Sequence, residues 1–190
     1  MKLRSVYQTL EDRDNPDEIE ESGPFECNRN NAWLGPGYYF WESFIQNAHW
    51  WGQECNSYKN GYVICEASYE LDDDLCFNLV DNPAHIEQFV NTIELMKKKK
   101  LFNAKTTVAR VINYLKKDLK IFNFQASRVY GVNSKRKASE YHSTIPFKPF
   151  SYQYLDLRPA IQVCFYDRKS LNLEQYRIVY PDKYIEDYLV

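Results

Sequence analysis

The alternation of apolar and polar positions divides this chain into recognisable pieces. A short run from Leu3 to Thr9 reads as a strand. Residues 11 to 22 are acidic and polar, and Asn15-Pro16-Asp17-Glu18 looks like a helix start, with proline near the first turn and acids that suit the dipole. Gly23-Pro24 stops that helix. Gly37 to Phe40 is a strand or strand entry, and Ser43 can cap a helix through Trp51 that puts Phe44, Ala48 and Trp51 on one face. Tyr62 to Tyr69 is mostly apolar or small, as in a central strand. Asp72-Asp73-Asp74 is a turn. Asp81-Asn82-Pro83 opens a helix through Met96, with Ile86, Phe89, Val90, Ile93 and Leu95 at helical spacing. Thr106 to Leu119 is a second helix, carried by Val108, Val111, Ile112 and Leu115. Residues 133 to 152 are polar with two prolines and read as a loop. Two strands close the chain, Ala160–Tyr166 and Tyr176–Tyr180. Strands at both ends with helices between predict an α+β domain over residues 1–190, with 80–150 as a helical and loop elaboration.

Composition narrows the class. A chain of 190 residues makes one domain with a real core. Aromatics make up 16% of it, mostly tyrosine, which suits half-wet surfaces. The five cysteines form no close pair and no zinc spacing, so they read as reduced, mostly buried thiols of a cytoplasmic protein. The first residues run quickly into charge, without the apolar core of a signal peptide, and no stretch is long enough to span a membrane. Charge is uneven. Between Lys97 and Glu140 there are thirteen Lys and Arg against two acids, concentrated in Lys97–Lys100 and Lys135-Arg136-Lys137. Such runs are commonly solvated helix ends; the functional alternative is a nucleic-acid contact across Lys97–Lys137.

Candidate chemistry centres on Trp33-Leu34-Gly35-Pro36-Gly37-Tyr38-Tyr39-Phe40-Trp41, followed by Ala48-His49-Trp50-Trp51. Glycines allow close backbone approach, and rings that follow them can stack on something flat. Any one of these rings has a simpler role as core packing. Together they suggest a site for a heteroaromatic ligand.

Gly35-Pro36-Gly37-Tyr38-Tyr39-Phe40 resembles the Gly-x-Gly-x-Tyr-Phe element of the diphtheria-toxin-like ADP-ribosyltransferases, which include the poly(ADP-ribose) polymerases. In that family an Ala lies nine residues after the Tyr and a second ring eleven after it. Ala48 and Trp50 stand at those spacings from Tyr39. The C-terminal Leu173-Glu174-Gln175-Tyr176-Arg177-Ile178-Val179-Tyr180 is similar to the family's last motif, but Glu174 lies six residues before Tyr180, not four. A shift of two along a strand keeps a side chain on one face unless a bulge intervenes. The family's His-Gly or Arg-Gly pair on the first strand is missing: Arg4-Ser5-Val6-Tyr7-Gln8-Thr9 stands there.

The resemblance implies a split β-sheet core of two packed, mainly antiparallel sheets with a helical insertion. It further implies NAD as substrate, Tyr39 and Trp50 clamping nicotinamide, and Gly35 and Gly37 allowing close approach. Arg4, Tyr7, Gln8 or Thr9 would replace the missing pair, and Glu174 would stabilise the ribosyl cation. The implied activity is transfer of ADP-ribose to a protein or nucleic-acid acceptor. The alternatives are an inactive binding module of the same fold, and a toxin-like nucleic-acid-binding protein using the basic segment.

Overall fold

The computed structural model describes residues 3–55, 58–131, 144–150, 152–170 and 173–185. Seven strands form one mixed sheet: β1 (Leu3–Glu11), β2 (Tyr38–Glu42), β3 (Tyr62–Glu70), β4 (Cys76–Asn78), β5 (Ala126–Tyr130), β8 (Ile161–Phe165) and β9 (Leu173–Tyr180). Their order is β4-β5-β8-β2-β1-β3-β9, and a separate two-stranded ribbon pairs β6 (Thr144–Pro146) with β7 (Tyr154–Asp156). The β4–β5 pair is parallel and the other neighbours are antiparallel. Four α-helices accompany them among the described residues: α1 (Pro16–Ser22), α2 (Ile45–Trp50), α3 (Pro83–Lys98) and α4 (Val108–Asn113). The α+β class is as the pattern predicts. Among the described residues the seven strands are hydrogen-bonded into one sheet and not into the two packed sheets that the resemblance implies.

The sheet is weakest at its middle. β1 pairs with β3 over nine positions and β2 with β8 over four, but β1 and β2 pair only at Val6–Glu42 and Tyr7–Trp41. Past Tyr7 and Trp41 the two strands part, and the sheet forks.

Each face of the sheet has its own core. Val6, Phe40, Ala67, Tyr69, Val163 and Phe165 cluster on one face, and Ile19 of α1 packs nearby on Val63, Cys65 and Ile178. On the other face, Ala48 and Trp50 of α2 pack on Trp41, Tyr62 and Ile64. Ile112 of α4 packs there on Leu34, Val129 and Cys164. The first face also buries charge. Arg128 and Glu42, 2% and 1% exposed, meet through two hydrogen bonds of 2.8 and 2.9 Å. Arg4 and the Tyr69 hydroxyl also donate to Glu42, while Asn78 and Asp81 accept from Arg128.

Several local expectations are corrected. The pattern predicts no strand at 126–130, where Arg128 interrupts the apolar run; its pairing with Glu42 lets β5 enter the sheet. Ser43 does not cap α2: it has a left-handed φ of 67°, and Phe44 holds the N-cap position without a side-chain bond. The predicted Thr106–Leu119 helix becomes α4 followed by a wider π-type turn over Tyr114–Asp118. Asn82 caps α3 as its position suggests, accepting from the amides of Ala84 and His85. Ile86 and Val90, expected on the buried face, are exposed, and Thr92 and Met96 are buried instead.

Candidate ligand-binding site

The fork holds a cavity of about 400 Å³, within the usual range for small-molecule sites. Gln8 to Glu11 and Arg13 come from the β1 arm, and Tyr39 and Trp41 from the β2 arm. Gln162, paired with Trp41 in the β2–β8 ladder, also lines it. The loop between α1 and β2 adds Phe25, Cys27, Arg29 and Trp33, and Trp51 and Tyr58 come from beyond α2. Register explains why residues from both faces of the sheet meet. Gln8 would oppose Phe40 and Thr9 would oppose Tyr39 if the ladder continued, but there the strands have separated.

Three indoles give the cavity its character. Trp33 meets Trp51 edge-on at 5.4 Å and Trp41 at 6.3 Å, while Trp41 and Trp51 lie 6.0 Å apart. All three contacts are tilted or T-shaped, so none of the three spends its face in parallel stacking on another.

Tyr39 is anchored by its hydroxyl, which accepts from the Leu34 amide at 2.8 Å and donates to the Gly35 carbonyl at 2.6 Å. Burial, reinforced by neighbouring Cys164, raises its pKa far above the ordinary phenol value. Burial likewise pushes Tyr58 up, against the lowering influence of Arg29. These phenols are neutral at physiological pH and act as ring surfaces and neutral hydrogen-bonding groups.

Most polar groups of β1 are already committed. Gln8 donates to the Phe25 carbonyl and accepts from the Phe25 amide and the Tyr176 hydroxyl. Thr9 donates to the Ala48 carbonyl, tying α2 to the sheet. At the rim, Arg13 pairs with Glu11, and Asn28 donates to Glu26. Gln162 differs: it is 4% exposed, and its Oε1 has no hydrogen-bond partner among the described residues.

The cavity gathers Tyr39, Gln8 and Thr9 from the sequence candidates, and not the others. Trp50 is buried against Trp41 on the α2 side, and its neighbour Trp51 reaches the cavity. Trp51 keeps helical φ and ψ of −63° and −43°, so the two neighbours stand about 100° apart around the helix and meet different surroundings. Arg4 is engaged by Glu42, and the Tyr7 hydroxyl bonds Glu66 at 3.1 Å.

Gly35 and Gly37 do not line the cavity; they shape the strand entry beside it. Gly35 has φ of 91°. A Cβ on Gly37 would stand 2.5 Å from the Phe165 carbonyl oxygen, so the close approach there is to β8. Glu174 is exposed on the edge strand, opposite Ser68. The ladder runs from Glu66–Arg177 directly to Ser68–Glu174, so Gln175 and Tyr176 oppose the single residue Ala67. This bulge, with Gln175 at φ of 57°, breaks the period-two alternation that would have kept Glu174 and Tyr176 on one face.

Trp33, Trp41, Trp51, Tyr58 and Gln162 were not singled out as site residues by sequence. The tryptophans lie inside the motif run and carried a visible signal; Tyr58 and Gln162 carried none. Of the basic runs, Lys97–Lys100 lies at the end of α3, where Lys97 pairs with Glu94 at 2.7 Å. Lys135-Arg136-Lys137 and the C-terminal Tyr188-Leu189-Val190 lie outside the described residues. Among the described residues, no helix is long and apolar enough to cross a membrane. Cys27, Cys65, Cys76 and Cys164 are free thiols, the last three pushed by burial to a pKa of about 12.

Searched against models of protein families, curated proteins and solved structures, the chain finds no match in any of the three. What the cavity can hold is decided by its own walls.

Proposed function

We propose that this chain binds NAD, or its ADP-ribose portion, in the forked cavity, and that binding through the aromatic walls is its function. One observation carries this reading. Tyr39 of the Gly-Pro-Gly-Tyr-Tyr-Phe element shares a cavity with Trp33, Trp41 and Trp51, at the place where β1 and β2 separate. Trp33, 37% exposed, and the half-buried Trp51 keep ring surface for a flat heteroaromatic ring, and the lining also holds the guanidinium groups of Arg29 and of Glu11-paired Arg13, the kind of group that meets a diphosphate. By the resemblance to ADP-ribosyltransferases, that ring is nicotinamide, with Trp51 in the role first assigned to Trp50.

Titrating purified protein with NAD tests this. A saturable quench of tryptophan emission and a rise in melting temperature are expected, since a ligand that binds only the folded chain stabilises it. Neither change at millimolar NAD would rule the reading out.

A second reading, turnover, is favoured by Glu11 and Glu26, which line the cavity while Glu174 does not. Cleavage of the nicotinamide–ribose bond sends its electron pair off with nicotinamide and leaves positive charge on the ribose, which water or an acceptor hydroxyl then captures at the anomeric carbon with loss of its proton. A carboxylate at the cavity can stabilise that charge, and one on a distant exposed edge cannot. Nicotinamide release by wild type, lost in Glu11→Gln or Glu26→Gln and kept in Glu174→Gln, would establish this enzyme. No release with intact NAD binding leaves the binding module.

A further inference from the structure

We propose that Gln162 reads the ligand: its side-chain oxygen selects a ring that carries an N–H donor on its edge, either a primary carboxamide or an exocyclic amine. The inference rests on the reading of the cavity as a nucleotide site and adds a residue that no sequence motif indicates.

Two independent observations meet there. The first is the cavity itself, walled by Trp33, Trp41, Trp51 and Tyr39. The second is the Gln162 Oε1, buried in a residue 4% exposed and without a hydrogen-bond partner among the described residues. A buried acceptor left unpaired is costly, and natural cores rarely retain one without a reason. Its neighbour in the fork shows the contrast, because Gln8, also 4% exposed, has its side-chain oxygen and nitrogen both bonded. β8 fixes the backbone of Gln162 by pairing it with Trp41 on one side and Val129 on the other. The acceptor is therefore held on a rigid element beside an indole. A flat ring in the cavity, lying against Trp33, which is 37% exposed, or the half-buried Trp51, would bring its edge to the amide. A donor on the edge would satisfy Oε1; a methyl or hydrogen there would keep it unpaired. Sites that hold a polar group in this way reject analogues lacking its partner.

Two pairs of neutral probes differ only in that donor. Nicotinamide carries a carboxamide N–H, and 3-acetylpyridine replaces the amino group with methyl. Adenosine carries an exocyclic amine, and purine riboside replaces it with hydrogen. Wild type is expected to bind the donor-bearing member of one pair about tenfold tighter, as the loss of one buried hydrogen bond implies. Which pair shows the difference tells whether nicotinamide or adenine occupies the cavity. Gln162→Met should bring that pair within about twofold, while Gln162→Glu, which keeps an acceptor, should retain the preference. The wild-type comparison stands even if a variant fails to fold. Equal binding within both pairs, or a preference unchanged in folded Gln162→Met, would overturn the role of Gln162 while leaving NAD binding in place. Failure of NAD and all four probes to bind would overturn the nucleotide reading itself.

Discussion

Glu42 shows most directly how a single residue holds this chain together. Burial alone would raise its pKa, but hydrogen bonds from Arg128 and Tyr69, with the charges of Arg128 and Arg4, lower it instead. Removing one partner strands the other charge in the core, a loss of about 3–5 kcal/mol. Arg128→Met is therefore expected to destabilise the fold by about that amount in urea unfolding. The pH dependence has a definite sign. The folded value lies below the unfolded one, near about 4.3. The stabilisation is complete above that value and is lost as pH falls through the lower folded value. Melting temperatures measured from pH 6 to pH 3 should fall more steeply for wild type than for Glu42→Gln. Tyr39 tests a milder dependence: Tyr39→Phe leaves the Leu34 amide and the Gly35 carbonyl without their partner and should cost about 1 kcal/mol. At this scale the sequence shows which residues carry chemistry but not whom they meet. Arg4 stood as a ligand-binding candidate by resemblance, and its engagement by Glu42 required knowing that residues 38 positions apart are neighbours.

At the scale of elements, the strand entry around Gly35 and Gly37 separates two uses of glycine. Gly35→Ala meets no atom within 4 Å but strains a left-handed backbone, for a loss of about 1–2 kcal/mol. Gly37→Ala drives a methyl against the Phe165 carbonyl and the Cys164 sulfur, and should lose more. Equal losses in denaturant unfolding would contradict the distinction. Hydrophobic period located β1, β3 and β8, and helical spacing behind the Asn82-Pro83 start located α3 without giving its buried face, since Ile86 and Val90 are exposed. It missed β5, whose buried Arg128 looks like a surface residue until its carboxylate partner is in place. Nor does the pattern show that Glu174 stands beyond a bulge on an exposed edge strand, because an extra residue leaves no mark in the period. That Trp51 and not Trp50 lines the cavity is equally hidden, because two adjacent tryptophans about 100° apart on one helix turn look alike in the sequence.

On the scale of the whole molecule, the central feature is a sheet that is strong on either side and paired at only two positions between β1 and β2. The fork needs no gap in the chain; it follows from β1 committing to β3 and β2 to β8. The aromatic run that dominates the sequence lies along one arm of that fork, so the sequence points to the region of the cavity but not to which residues line it. Isothermal titration of NAD against wild type, Trp51→Leu and Glu174→Ala tests the central claim most directly. Wild type and Glu174→Ala should bind alike, and Trp51→Leu should bind at least about tenfold more weakly, the loss expected for one ring-stacking wall. Absence of NAD binding by wild type, or a loss in Glu174→Ala equal to that in Trp51→Leu, would contradict it.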